Sequence, residues 1–173
     1  VYGQDGYQVV TGPSSYPGFV NASTSGKTDH YWQSETGDPR ALQTTGTART
    51  GGCWYAAGSF AIDFDFLDGQ THKLSLYFLD WDHLGRSERV EVLDSNSGAV
   101  LDSRTISNFG NGLYLSWNVK GAIRVRLTKL SGPNAIVNGL FLDPANGGGS
   151  GGSVAGGLVL GNFHLQINRA AGH

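Results

Sequence analysis

The sequence predicts an all-β fold: an antiparallel β-sandwich of jelly-roll type, then a glycine-rich linker and a C-terminal extension strand. Three observations carry that reading. From Ser59 onward apolar residues recur at alternate positions, the period that turns one row towards a core and the other towards solvent. Turn residues interrupt the pattern at intervals of roughly ten positions, the spacing of a sandwich. No segment sustains a helical period, and the strands form no sequence repeat.

Taken in order, residues 7–10 read as a first strand and 12–16 as a turn. Residues 28–58 show no alternation; they carry Trp32, Trp54 and Tyr55 and are expected to form a long irregular region. Phe60, Ile62, Phe64 and Phe66 then make one apolar row with Ala61, Asp63 and Asp65 opposite, a half-buried strand. Asp68-Gly69 supplies the next turn. Leu74, Leu76 and Phe78 share a face while Tyr77 and Leu79 occupy the other, and a strand apolar on both faces belongs in the middle of a sheet. Further strands are predicted at 89–93, 100–106, 113–118, 123–130 and 135–142. Their separators are turn sequences such as Asn96-Ser97-Gly98, Gly110-Asn111-Gly112 and Gly132-Pro133-Asn134. Trp117 is in phase with Leu113 and Leu115, which assigns it to the core.

A chain of 173 residues has room for one domain with a substantial core. The natural division is a sandwich over 1–144, a linker over 145–157 and a tail over 158–173. A net charge of −2, with 15% charged residues and no basic run, gives no electrostatic footprint for nucleic acid. No stretch is apolar for long enough to span a bilayer, so no membrane partner is expected. Cys53 is alone; its thiol is either buried and inert or paired with another chain. The chain starts at Val1, contains no methionine and shows no signal peptide, from which a mature, exported product is expected, extracellular or on the cell surface.

Several runs between Trp54 and Pro144 carry a family resemblance: Asp68-Gly69-Gln70-Thr71-His72, Leu79-Asp80-Trp81-Asp82, Gly85-Arg86-Ser87-Glu88-Arg89 and Gly139-Leu140-Phe141-Leu142-Asp143-Pro144. They resemble a β-sandwich module of large secreted bacterial proteins, the galactose-binding-like, carbohydrate-module jelly rolls. The resemblance implies the fold. It assigns no binding residue, because such folds host many roles.

Beyond Pro144 the chain runs through glycine-rich residues into one isolated apolar segment. At roughly 3.3 Å per residue, 145–157 reach about 40 Å, comparable with the width of the domain itself. Phe163, Leu165 and Ile167 alternate with His164, Gln166 and Asn168, whereas Leu158 and Leu160 sit on the opposite parity. The switch falls at Gly161, where a bulge would keep the apolar row on one side. A lone strand needs a sheet to satisfy its backbone, and that sheet lies either in its own domain or in a neighbour's. In arrangement the tail resembles the donor strand of pilus and fibre subunits. The first functional expectation is therefore an exported structural subunit that polymerises head to tail into an extracellular filament, with other copies of the chain as partners. Leu158, Leu160, Gly161, Phe163, Leu165 and Ile167 would form the assembly strand.

The alternative expectation is a carbohydrate-binding module of a secreted or cell-surface protein. Sugars stack their C–H faces on aromatic rings, and Trp32, Trp54, Tyr55 and Trp81 are the candidate platform. Asp80-Trp81-Asp82-His83, followed by Arg86, Glu88 and Arg89, is the densest polar cluster in the chain. Asp80 and Asp82 are either calcium ligands or ion-pair partners of Arg86 or Arg89. Asp94-Ser95-Asn96-Ser97-Gly98 starts like a calcium loop, but its twelfth position is Thr105 rather than Glu, so a hairpin turn is expected. The histidines are scattered, Cys53 has no nearby ligand partner, and no nucleophile elbow or distinct glycosidase carboxylate pair appears. Neither an enzyme nor a resident cofactor is expected. Asn21-Ala22-Ser23 is an N-glycosylation sequon.

Overall fold

The computed structural model describes residues 2–145 and the backbone of 158–159. The chain passes first through β1 (Gly6–Val9), β2 (Ser14–Ser15), β3 (Val20–Ser25), β4 (Thr28–Thr36), β5 (Leu42–Gln43) and β6 (Arg49–Ala56). There follow β7 (Ser59–Phe66), β8 (His72–Phe78), β9 (Ser87–Asp94), β10 (Val100–Ser107) and β11 (Leu113–Val119). The last are β12 (Ala122–Ser131), β13 (Ala135–Val137), β14 (Gly139–Pro144) and β15 (Leu158–Val159). All pairings are antiparallel, and the described residues contain no helix.

One sheet has the order β15-β11-β8-β14-β1-β2, a second β10-β9-β12-β7-β3, and a third β13-β6-β4 with β5 beside β6. The alternating rows read from the sequence are the rows that meet between the first two. Phe60, Ile62, Phe64 and Phe66 of β7 are buried with Val90 and Val92 of β9 and Ile123, Val125 and Leu127 of β12. Opposite them lie Leu74, Leu76 and Phe78 of β8, Leu115 and Trp117 of β11, and Leu140 and Leu142 of β14, all in the same core. At about 1.5 to 3 kcal/mol per buried large apolar side chain, these rows are the main source of stability. The two-sided β8 is central, paired by β11 on one edge and β14 on the other.

Three parts differ from expectation. Residues 28–58 are largely strand: β4 and β6 pair from Thr28↔Tyr55 to Thr36↔Arg49, with register shifts on either side of Gln33. The alternation fails there because β4 is a sheet edge exposed on both faces, and because the consecutive buried glycines Gly51 and Gly52 leave one position on each face of β6 without a side chain. A Cβ on Gly52 would overlap the Thr11 side chain and the Val10 carbonyl, so the glycine is a close-approach device rather than a turn. The predicted 135–142 strand is two strands in different sheets, divided at Asn138. Buried Asn138 accepts a hydrogen bond from Leu79 N (2.7 Å) and donates to Gly52 O (2.9 Å), fastening the sheets together at the break.

Third, the start of the tail joins the chain's own sheet: Leu158 pairs with Val119 and Val159 with Asn118. Pro144, His72, Val119 and Leu158 lie on one line across that sheet. Pro144 and Leu158 are therefore three strand spacings apart, about 14 Å, well inside the reach of the intervening residues. Leu160, Gly161, Phe163, Leu165 and Ile167 lie outside the described residues.

Candidate functional site

The polar cluster after β8 and the aromatic residues of β4 meet at one end of the sandwich. Asp80 and Arg86 are both buried, and the Asp80 carboxylate accepts hydrogen bonds from Gly85 N (3.1 Å), Arg86 N (3.3 Å) and Arg86 Nη1. Arg86 Nη1 also pairs with Asp82, and its Nε donates to Asn134 Oδ1 at 2.8 Å. Burial works against the ionised Asp82, yet the hydrogen bond and charge of Arg86 hold its carboxyl below the usual carboxylate range. Both calcium candidates are thus committed to one guanidinium, and among the described residues no group of three or more His, Cys, Asp or Glu side chains could hold a metal ion. Arg89, the other arginine of this run, faces Glu91 instead.

Above this base stands a ladder of rings and guanidinium groups. Trp32 Nε1 donates to Asp82 Oδ2 (3.2 Å), and Arg86 lies 5.5 Å from the Trp32 ring centroid. Trp32 and Trp81 are stacked, with centroids 6.2 Å apart and planes 11° from parallel. Arg40 lies over Trp81 at 5.0 Å. Gly51 completes the seat, since its missing Cβ leaves room for the Trp81 ring at 3.0 Å. Each cation–π contact contributes about 0.5 to 2 kcal/mol, depending on how dry it is.

Arg40 is the tie that sequence reasoning missed. Its Nε and Nη2 form a forked pair with Asp38, while its Nη1 donates to Gly110 O (2.8 Å) and lies 3.2 Å from His83 Nε2. The hydrogen bonds from Arg40, ahead of the opposing burial, hold Asp38 below its usual range. Tyr77 donates its hydroxyl proton to Arg40 O at 2.6 Å. Three loops are locked by one side chain.

Beside this ladder opens a pocket of about 340 Å³ whose wall includes His83, Ser87, Ser107, Asn108, Asn111 and Ser131. His83 and Asn108 have φ of 53° and 56°. Left-handed backbone at non-glycine residues is costly and tends to mark sites where the chain is held for a purpose. His83 joins the two features, since it contacts Arg40 on one side and lines the pocket on the other.

Of the four predicted aromatic residues, Trp32 and Trp81 are brought together and partly exposed. Tyr55 is half-buried next to them, with His30 edge-on to it (6.1 Å) and to Trp32 (5.4 Å). Trp54 is buried in the core with Lys27 over its ring and takes no part in this surface. Cys53 is also buried, and burial pushes its thiol up to about 12. The Asp94 turn is a hairpin turn, its carboxylate accepting from Asn96 N and Ser97 N.

No family model matches the chain, and no curated protein matches it. Among solved structures, the chain is similar to a family 35 carbohydrate binding module from Clostridium thermocellum, at 14% identity over 72% of this chain and 92% of that one, with a TM-score of 0.44. It is also similar to a carbohydrate binding module of Cellvibrio mixtus lichenase 5A in complex with cellotriose, at 10% identity over 72% and 91% of the two chains, TM-score 0.42. A family 35 module from Cellvibrio japonicus Abf62 is similar at 13% identity over 73% and 95%, TM-score 0.36.

Proposed function

We infer that the protein is a carbohydrate-binding module whose ligand sits at the loop end of the sandwich. The observation behind this reading is the junction of the Trp32–Trp81 stack with a pocket lined by hydroxyl, amide and imidazole groups. Such a pocket offers alternating donors and acceptors to sugar hydroxyls, and the parts of the two indoles left uncovered by Arg40, Arg86 and Gly51 offer apolar surface to the C–H groups of a pyranose. The site residues are Trp32, Trp81, His83, Asn108 and Asn111. The carboxylates nearby are held by Arg86 and Arg40, which suits binding rather than proton transfer. An extracellular or cell-surface location is where such a module meets polysaccharide. The test is isothermal titration against a panel of soluble oligosaccharides: binding should be lost in Trp81→Ala and weakened about threefold to tenfold in Asn108→Ala, since one hydrogen bond contributes about 0.5 to 1.5 kcal/mol. Equal titrations for the wild type and both variants would reject this site.

A second reading is head-to-tail assembly through the tail. It is favoured by the pairing of Leu158–Val159 with β11, which identifies an edge that accepts a strand. The same register made with a second copy would link subunits by strand exchange. Deleting 158–173 and comparing sedimentation and electron micrographs tests it; filaments that persist in the truncated protein would sink it.

A further inference from the structure

Three Asn-Gly steps occur in the chain, at Asn111, Asn138 and Asn146, and the fold treats the first two in opposite ways. Asn146 lies outside the described residues. An asparagine followed by glycine can react with its own backbone, because the next nitrogen reaches the side-chain amide carbon when no Cβ stands in the way. Asn138 is shielded from that reaction. It is buried, its amide is held at both ends by Leu79 N and Gly52 O, and Gly139 is paired in β14 between β1 and β8.

Asn111 has none of that protection. It is exposed in the wall of the loop-end pocket, and its side chain has no hydrogen-bond partner among the described residues. The glycine after it is required by the fold: Gly112 has φ +89°, and an added Cβ would overlap the Tyr77 hydroxyl, the group that donates to Arg40 O. Gly112 N donates to Phe109 O at 3.1 Å, a bond that must open before the nitrogen can react. Opening it strands no acceptor, since Phe109 O also accepts from Asp80 N at 3.1 Å. The packing that ties Arg40 into this end thus demands the one residue type that leaves Asn111 open to attack.

We propose that Asn111 is a self-modification site, converted by its own backbone into a carboxylate in the pocket wall. Gly112 N attacks Asn111 Cγ: the N–Cγ bond forms, the Cγ–Nδ2 bond breaks, and ammonia leaves with the proton that Gly112 N gives up. The five-membered succinimide then takes up one water. Opening at Cγ leaves Asp at this position, whereas opening at the main-chain carbonyl routes the backbone through the side chain as isoaspartate, with one extra methylene between Gly110 and Gly112. Nothing is oxidised or reduced, and water is the only co-reactant. Each event adds one negative charge and replaces an amide that donates and accepts by a group that only accepts hydrogen bonds. The consequence for a ligand rests on the carbohydrate reading of this pocket; the reaction itself does not.

The experiment uses the full chain, kept warm in heavy-oxygen water at pH 7 and pH 9, folded and in urea, and followed by intact mass, anion exchange and peptide mapping. In the folded protein heavy oxygen should enter at residue 111, as Asp and isoaspartate in the more acidic fraction. The rate should be greater at pH 9, because the attacking nitrogen must lose its proton. Asn138 reacts only when the sheets part, so its conversion should be at least about a hundredfold slower. In urea the two should convert at similar rates. Asn111→Gln, whose ring would need six members, should keep its amide. An Asn111 amide that survives in the folded protein while the unfolded chain is converted would overturn the proposal, and so would equal labelling of Asn111 and Asn138 in the folded state. The fresh and the acidic fractions are then titrated with cellohexaose, xylohexaose and laminarihexaose, where loss of one hydrogen bond should weaken binding about threefold to tenfold. Labelling at residue 111 with equal titrations would leave the modification standing while Asn111 fails as a ligand contact.

Discussion

Glu88 offers the most quantitative check on the packing of the loop end. Its side chain is fully buried; Oε2 accepts from Ile136 N at 2.7 Å, and Oε1 has no partner among the described residues. Burial pushes its carboxyl from 4.5 to about 8, with the Ile136 amide and then Arg86 opposing the rise. A folded-state value above the unfolded one means that the folded protein holds the proton more tightly, so stability is full below pH 4.5 and falls as pH rises towards 8. At about 1.4 kcal/mol per unit, the loss is about 3 kcal/mol by pH 7 and about 5 kcal/mol above pH 8, relative to acid conditions. Glu88→Gln keeps the shape and the Ile136 contact but cannot ionise. Urea unfolding of both proteins from pH 5 to 9 should therefore show curves that nearly coincide at pH 5 and diverge with pH, the variant ending several kcal/mol more stable. A difference that stays constant across the range would refute the assignment of a raised carboxyl to Glu88.

Other substitutions test neighbouring parts of the same argument. Arg86→Met strands the buried Asp80 carboxylate and should cost about 3 to 5 kcal/mol in chemical denaturation, with loss of the Trp32 environment in near-ultraviolet circular dichroism. Asn138→Leu leaves Leu79 N and Gly52 O unpaired between sheets, an expected loss of about 2 to 5 kcal/mol by the same measurement. Gly52→Ala drives a methyl into Thr11 and the Val10 carbonyl, and should lower the melting midpoint by an amount equivalent to about 1 to 3 kcal/mol.

The legible part of the fold is the part where burial is one-sided or symmetrical. In β7, β9 and β12 one face meets the core and the other carries pairs such as Arg124–Asp63 and Arg126–Glu91, so the period of two survives in the sequence. β8 was readable for the opposite reason, since its outward Tyr77, with Leu79 just beyond the strand, belongs to a second apolar cluster that includes Tyr114 and Phe141. β4 left no trace because an edge strand exposed on both faces has no reason to alternate, and β6 left none because its glycines serve the approach of Trp81 and Thr11. The boundary at Asn138 was hidden because an asparagine in an apolar run looks like a solvent position, whereas here it hydrogen-bonds two sheets from within.

Of the four candidate rings, Trp32 and Trp81 come together at this end and Trp54 lies in the core, while the ties between the loops left no trace in the sequence. Asp80-Trp81-Asp82-His83 announces itself by composition, and pairing of both carboxylates with a nearby arginine was among the expected outcomes. Arg40 sits in a polar loop about forty residues away, and only folding shows that it reaches Trp81, His83 and Gly110. Tyr2 lies farther still from Tyr114 in sequence, and the stacking of such rings carries no local signal.

The distribution of unfavourable features supports placing function at this end. The buried Glu88, the buried Asp80–Arg86 pair and the left-handed His83 and Asn108 all cluster there, each at a cost that a purely structural sandwich would avoid by using apolar or glycine residues. On the outer face of the five-stranded sheet, by contrast, the charges are solvated and paired across strands, as in Arg124 with Asp63. Natural domains keep destabilising arrangements where activity depends on them. A binding site needs its loops fixed before the ligand arrives, because ordering them on binding would be subtracted from affinity. The Arg40 and Arg86 networks do that fixing: Arg86 holds Asp82, Asp82 holds the Trp32 indole, and Arg40 joins the three loops around Trp81 and His83. The base of this end of the sandwich is thus tied by side chains from several loops, and on the adjoining sheet face residues 2–4 are tied in turn by contacts that include the Tyr2–Tyr114 stack and the Asp143 hydrogen bonds.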